Sequence, residues 1–174
     1  NSAGLTLSLW DGAVGPKNNG IINGGDGVWQ ASSGNDNWTD SSGAVNAAYT
    51  DGAYAVFSAT KGIVTVDNGM GAVSAAGMQF ASDGYIITGD AVTLIGPQSV
   101  IRVGDGQSNS SGFTATINSA LLGDTQVVKT DAGTLVLGGN NTYTGGTLIK
   151  GGTVQIAADS NLGAVTGGLS FNGG

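Results

Sequence analysis

Twelve side chains in this sequence carry a carboxylate, and every one is aspartate; glutamate, histidine and cysteine do not occur. A pair of carboxylates placed across a sugar bond hydrolyses it, and carboxylates with calcium and a nearby base serve related sugar chemistry. Five of these aspartates, Asp11, Asp26, Asp51, Asp83 and Asp105, directly precede glycine. A short carboxylate before glycine bonds its own backbone and makes a turn, which is the simpler reading of all five. Without histidine or cysteine, a Ser-His-Asp or Cys-His nucleophile is out of reach and the usual zinc ligands are missing. The sequence therefore reads as non-enzymatic and needing no cofactor, with a polysaccharide-active enzyme as the alternative that keeps the carboxylates busy.

Three further stretches could bind something. In "NDNWTD", Asp36, Asn37 and Asp40 offer oxygens to calcium, yet the glycine and terminal glutamate of an EF-hand loop are absent, so a solvated loop is expected. "GDGQSNSSG" from Gly104 is a glycine-rich loop after a strand, but no helix follows to hold a phosphate, and it reads as a long turn. The tryptophans are the best candidates for recognition. Trp29 and Trp38 sit in polar surroundings where an exposed indole would stack on a sugar or anchor a protein; the competing reading is that they close a core. "NWT", "NSS" and "NNT" fit the N-glycosylation acceptor pattern, as Asn- and Thr-rich chains do by chance.

The elements that must position these residues are strands. Thirty-three glycines and 10% charged residues in 174, with aspartate in place of glutamate, make a composition of turns and half-buried strands. "GTLVLGG" at Gly133 returns 19 residues later as "GTVQIAA" at Gly152. Looser versions begin at Gly62 ("GIVTVDNG"), Ala76 ("AGMQFASDG"), Gly89 ("GDAVTLIG"), Ser99 ("SVIRVGDG"), Gly112 ("GFTATIN"), Thr125 ("TQVVKTDAG") and Gly167 ("GGLSFNGG"). Each alternates with period two between turn residues. Phe113, Ala115 and Ile117 should face inward with Thr114 and Thr116 outward; Leu135 and Leu137 should meet Val154 and Ile156, and these Leu169 and Phe171. A pitch of about 20 residues is too long for a hairpin and marks stacked coils. The fold class is all-β, a parallel β-helix; an antiparallel β-sandwich is the competing architecture.

Residues 1–60 differ, carrying Trp10, Trp29, Trp38, Tyr49 and Tyr54 between polar loops. They read as a cap or irregular first coils on regular coils at 61–174, all one domain. A formal charge of −7 with five scattered basic residues offers nothing to nucleic acid or anionic lipid. No apolar run reaches the roughly 20 residues of a membrane-spanning helix. The opening "NSAGLTLSLW" lacks the basic start of a secretory signal, which suggests a mature or excised segment or a cytoplasmic protein.

The stretch "KTDAGTLVLGGNNTYTGGTLIKGGTVQIA", at about 129–156, resembles the passenger-associated transport repeat of bacterial autotransporters. Lys129, Thr130, Gly133, Thr134 and Leu135 match its first part, Asn141 to Thr147 its second, and Gly152 and Thr153 its third. Asp131 stands where that repeat usually has glycine, and Val154 replaces leucine. Upstream, "LWDG", "DNWTD", "YTDGAYAVF" and "MQFASDGYIITG" look like passenger sequence as well. The resemblance implies a right-handed β-helix from a much longer protein, carried to the bacterial surface by its own C-terminal β-barrel, which is not in this stretch. It also implies an outer-membrane-anchored or secreted location and an adhesin or stalk, with a host matrix protein or cell-surface glycan as partner. A purely structural scaffold and a self-associating module are the alternatives.

Overall fold

The computed structural model describes residues 5–174, which form strands joined by turns, with three short 3-10 segments and no α-helix. Four strands come first: β1 (Leu7–Trp10), β2 (Gly27–Trp29), β3 (Trp38–Thr39) and β4 (Asn46–Ala47). Then one itinerary repeats. β5 (Tyr54–Phe57), β6 (Ile63–Val66) and β7 (Val73–Ala75) lie in three different sheets, and β8 (Gly77–Phe80), β9 (Ile86–Gly89) and β10 (Val92–Leu94) revisit them in that order. β11 (Gln98–Val103), β12 (Thr114–Ile117) and β13 (Leu121–Leu122) do so again. β14 (Gln126–Thr130), β15 (Thr134–Leu137), β16 (Thr147–Ile149), β17 (Thr153–Ile156) and β18 (Leu169–Phe171) then continue two of the three. The result is a long sheet of nine strands, a middle sheet of six and a short sheet of three.

Every ladder is parallel except the two that β3 makes, with β1 and with β4. The antiparallel sandwich is thereby set aside. A hairpin brings the chain straight back beside itself, whereas here each strand meets its neighbour only after a full circuit of the other sheets. The arrangement is all-β, mostly parallel and β-helix-like.

Alternation decides what each strand buries. Val64, Ile87, Ile117 and Leu137 stand in register across the middle sheet and are all essentially inaccessible. Each such side chain contributes roughly 1.5–3 kcal/mol. Phe57 lies directly opposite Phe80, their rings stacked 5.2 Å apart at 12°. Ala115 and Ile117 point inward between half-buried Thr114 and Thr116, as the pattern predicts, while Phe113 precedes the strand and is only partly buried. The expected match of Thr134–Leu137 with Thr153–Ile156 is found, at the 19-residue offset.

Leu169 and Phe171 are a correction. They pair with Thr147 and Ile149 of the long sheet, not with Val154 and Ile156. The short strand Thr147–Ile149 lies between the two repeats, and the next strand of its kind is the one at Leu169, so chain order fixes the partner.

In the first part, β1 pairs with β5 through Leu7 opposite Tyr54, and β3 and β4 extend the sheet beyond β1. The outer edge is tied off by a reciprocal pair: the Asn46 N–H donates to Asn18 Oδ1 and the Asn18 N–H to Asn46 Oδ1, both at 2.7 Å. Such side-chain bonds occupy groups that would otherwise template another strand.

Candidate functional site

Turn corners hold most of the polar chemistry. Asp26 accepts the Ile63 N–H at 2.8 Å, and Asp83 accepts the Thr114 N–H at 2.7 Å, each reaching across to another turn of the chain. Asp11 accepts from the Asn23 N–H and the Asn46 amide, and Asp51 from the Ser32 N–H and hydroxyl. Asp105 bonds the Gln107 N–H two residues on. Only the Asp105 bond is the local turn expected of an aspartate before glycine; the other four aspartates tie separate turns of the chain together.

The calcium loop is organised otherwise. Lys17 Nζ donates to Asp36 Oδ1 at 2.6 Å and to Asn37 Oδ1 at 2.5 Å, so an ammonium holds those two oxygens. Asp40 turns instead to Ser42. The Lys17 hydrogen bond, opposed by slight burial and helped by its charge, holds the Asp36 carboxyl below its ordinary range. Among the described residues no group of three metal-ligating side chains comes together. In the loop after Gly104, the Gly106 N–H donates to Asp131, which makes that loop part of a turn network.

Trp29 and Trp38 are interior, 0% and 1% exposed. Trp38 packs 5.1 Å from Trp10, 5.2 Å from Trp29 and 4.7 Å from Tyr49. Neither indole offers a face on which a ligand could stack, so the contact expected at these two residues does not form at the surface. Their N–H groups are buried without an acceptor, whereas that of Trp10 donates to Gly25 O at 2.8 Å.

The densest constellation lies where coils meet between residues 102 and 161. Lys129 is fully buried, and its three donors are matched by three carbonyls, those of Thr130 (2.9 Å), Asp131 (3.0 Å) and Gly151 (3.0 Å). Burial pulls this ammonium down to about 8, against the attraction of Asp131. Asp131 has φ of 65°, the left-handed region where glycine is usual. Its carboxylate accepts from Arg102 Nε at 2.8 Å and from the Gly106 and Ala132 N–H groups. Burial raises this carboxyl, but those donors outweigh it and hold it below its ordinary range. Farther along, Asn141 accepts the Leu121 N–H (2.8 Å) and donates to Asn161 O (2.6 Å), while Asn161 donates to Gly139 O (2.8 Å). Tyr143 shares a 2.6 Å bond with Thr147. The bonds of Asp131 to Arg102, Lys129 to Gly151, and Asn141 to Leu121 and Asn161 tie separate turns of the chain together, while that of Tyr143 to Thr147 is local.

The sequence motif that holds this network matches the passenger-associated-transport-repeat family over residues 127–156. Across 173 residues the chain is 57% identical to the Adhesin BmaC autotransporter of Brucella suis biovar 1 (strain 1330). The chain belongs to the autotransporter passengers. The match takes in 99% of this chain and only 5% of that relative, so this passenger segment spans about one-twentieth of the curated protein it resembles. No solved structure matches it. An autotransporter passenger works at the cell surface or after secretion, and this segment is placed there with its family. Lys129, Asp131 and Asn141 fall within the matched repeat, and through Gly151, Arg102, Leu121 and Asn161 they bond separate turns of the chain to one another.

Proposed function

We propose that this passenger segment is a right-handed parallel β-helix that acts as a non-enzymatic adhesive stalk, attaching a bacterial cell to host cells or extracellular matrix. The observation that carries the reading is the unbroken parallel register from β5 to β18 along the long sheet. Stacked coils make a stiff rod whose flat faces repeat at strand spacing, and a rod projects a binding surface away from the cell. Residues 5–60 close one end, with the Asn18–Asn46 pair sealing its edge. The similarity to a relative named as an adhesin supports the same reading. The parent chain holds the segment at the outer membrane through its own C-terminal barrel. A host matrix protein or surface glycan is the partner, and self-association is the competing use of the same faces.

The test is attachment of purified segment to cultured cells and to surfaces coated with matrix proteins. Saturable attachment by folded, monomeric protein is expected. No attachment to any surface, with full folding by circular dichroism, would leave a stalk without adhesive function; sedimentation as concentration-dependent oligomers would favour self-association.

A further inference from the structure

We propose that the outer face of the long sheet carries a binding groove for a neutral saccharide, with the ring of Tyr54 as its floor. The inference rests on the adhesive reading and names a ligand class for it. Tyr54 stands directly opposite Gly77 in the ladder. Its hydroxyl donates to Met78 O at 2.9 Å, and a Cβ on Gly77 would lie 2.7 Å from Tyr54 Cε2. The ring therefore lies down across a glycine that has no side chain to lift it. The ring is half-buried and lines the groove that begins here.

A groove of about 410 Å³ continues from this ring over Leu5, Ile95, Gln98 and Val100. Leu5 and Ile95 are 43% and 42% exposed, a large solvent-facing share for aliphatic side chains. Among the described residues no charged side chain lines the groove. The neighbouring cation, Arg102, is tied to Asp131. Gln98 donates through Nε2 to Gln126 Oε1 at 2.8 Å, which fixes its amide and leaves its carbonyl and second N–H for a ligand. A flat aromatic ring with aliphatic neighbours suits the C–H face of a pyranose, and a fixed amide suits its hydroxyls. With Arg102 paired to Asp131, an anion would find little net counter-charge here. An extended peptide would find no free backbone, because β5 is laddered on both sides, to β1 and β8.

The experiment is saturation-transfer NMR on the folded chain with methyl glucoside, methyl galactoside, methyl mannoside, maltose and lactose, and with sialyllactose as the charged control. Concentrations of order 10 mM suit a small neutral ligand with few hydrogen bonds. Transfer to ring C–H protons of at least one sugar is expected, retained in Tyr54→Phe and weakened roughly tenfold or more in Tyr54→Leu. Gln98→Ala should weaken it as well. Ile95→Lys, a change at an exposed position, should do the same should Tyr54→Leu fold poorly. No transfer from any of these sugars, undiminished transfer in folded Ile95→Lys and Tyr54→Leu, or binding of sialyllactose alone would overturn the proposal. Attachment to cells and matrix, measured on the same proteins, separates the two readings. Attachment without sugar binding overturns the groove alone, and sugar binding without attachment overturns the adhesive role alone.

Discussion

Replacing Asn141 by alanine removes a side chain that links three successive turns of the chain. Its amide oxygen serves the Leu121 N–H and its amide nitrogen serves Asn161 O, in a site where Asn141 is 4% exposed. Alanine leaves both backbone groups buried and unmet. Each unmet group costs about 1–3 kcal/mol, so the variant should lose about 4 kcal/mol. For a chain of this size that lowers the melting temperature by roughly 8–16 °C. Asn140, the neighbouring residue in the same motif, is exposed and makes no such bridge. Asn140→Ala should change stability by no more than about 0.5 kcal/mol. Urea unfolding followed both by far-ultraviolet circular dichroism and by tryptophan fluorescence gives the two values, and coincident curves license a single free energy. A loss under about 1 kcal/mol for Asn141→Ala, or equal losses for the two variants, would refute the reasoning that coils are pinned by buried amides.

Other perturbations probe the remaining contacts. Gly152 has φ of 66°, and a Cβ there would lie 2.7 Å from both Asp131 O and Lys129 Nζ, so Gly152→Ala should cost about 2 kcal/mol or more, while Gly168→Ala, with open space around it, costs little; equal thermal shifts would contradict this. Asp36, Asp40, Asp67 and Asp131 have carboxyls held below the ordinary range by hydrogen bonds and, at Asp36 and Asp131, by cations. A carboxyl lowered in the folded state stabilises above its unfolded value and loses that stability as pH falls through about 4 and below, so melting temperature should drop between about pH 4 and 2; a flat profile there would contradict it. Lys129 works in the opposite range: its folded value of about 8 lies below that of the unfolded chain, so the unfolded state holds more protons and stability should rise from about pH 8 to 9.5. Subtracting the pH profile of Lys129→Met isolates that rise, and a flat difference would exclude it.

Much of the architecture was legible because alternation and pitch are local properties of the sequence. The match of Thr134–Leu137 to Thr153–Ile156 follows from a 19-residue repeat, and the turn at Asp131 follows from its replacing glycine. The buried amides were not legible. Asn141 and Asn161 are one turn of the chain apart, but they look like ordinary turn residues until the coils are stacked. Lys129 could have been found, since alternation places it on the same side as buried Val127. A lysine in an inward position signals that carbonyls wait for it. The two readings of the tryptophans stayed open for a physical reason: polar loops around an indole look the same whether the ring faces water or packs inside, and the fold buries both. Tyr54 was counted with that aromatic set, and only its partner Gly77, brought opposite by the ladder, distinguishes it.

The stacking itself can be tested by disulfide formation between outward-facing positions. Thr116 lies directly opposite Val136, and Val136 directly opposite Gln155. Cysteines introduced at 116 and 136 should be within bridging range and should oxidise readily, because adjacent strands are about 4.8 Å apart and a disulfide spans Cα separations of about 4.4–6.8 Å. Cysteines at 116 and 155 are two strands apart and should remain reduced in the folded protein. Rapid oxidation of the first pair with none of the second is the predicted result. The reverse, or equal oxidation of both, would contradict the parallel stacking on which the proposed stalk, its internal bonds and the proposed binding face all depend.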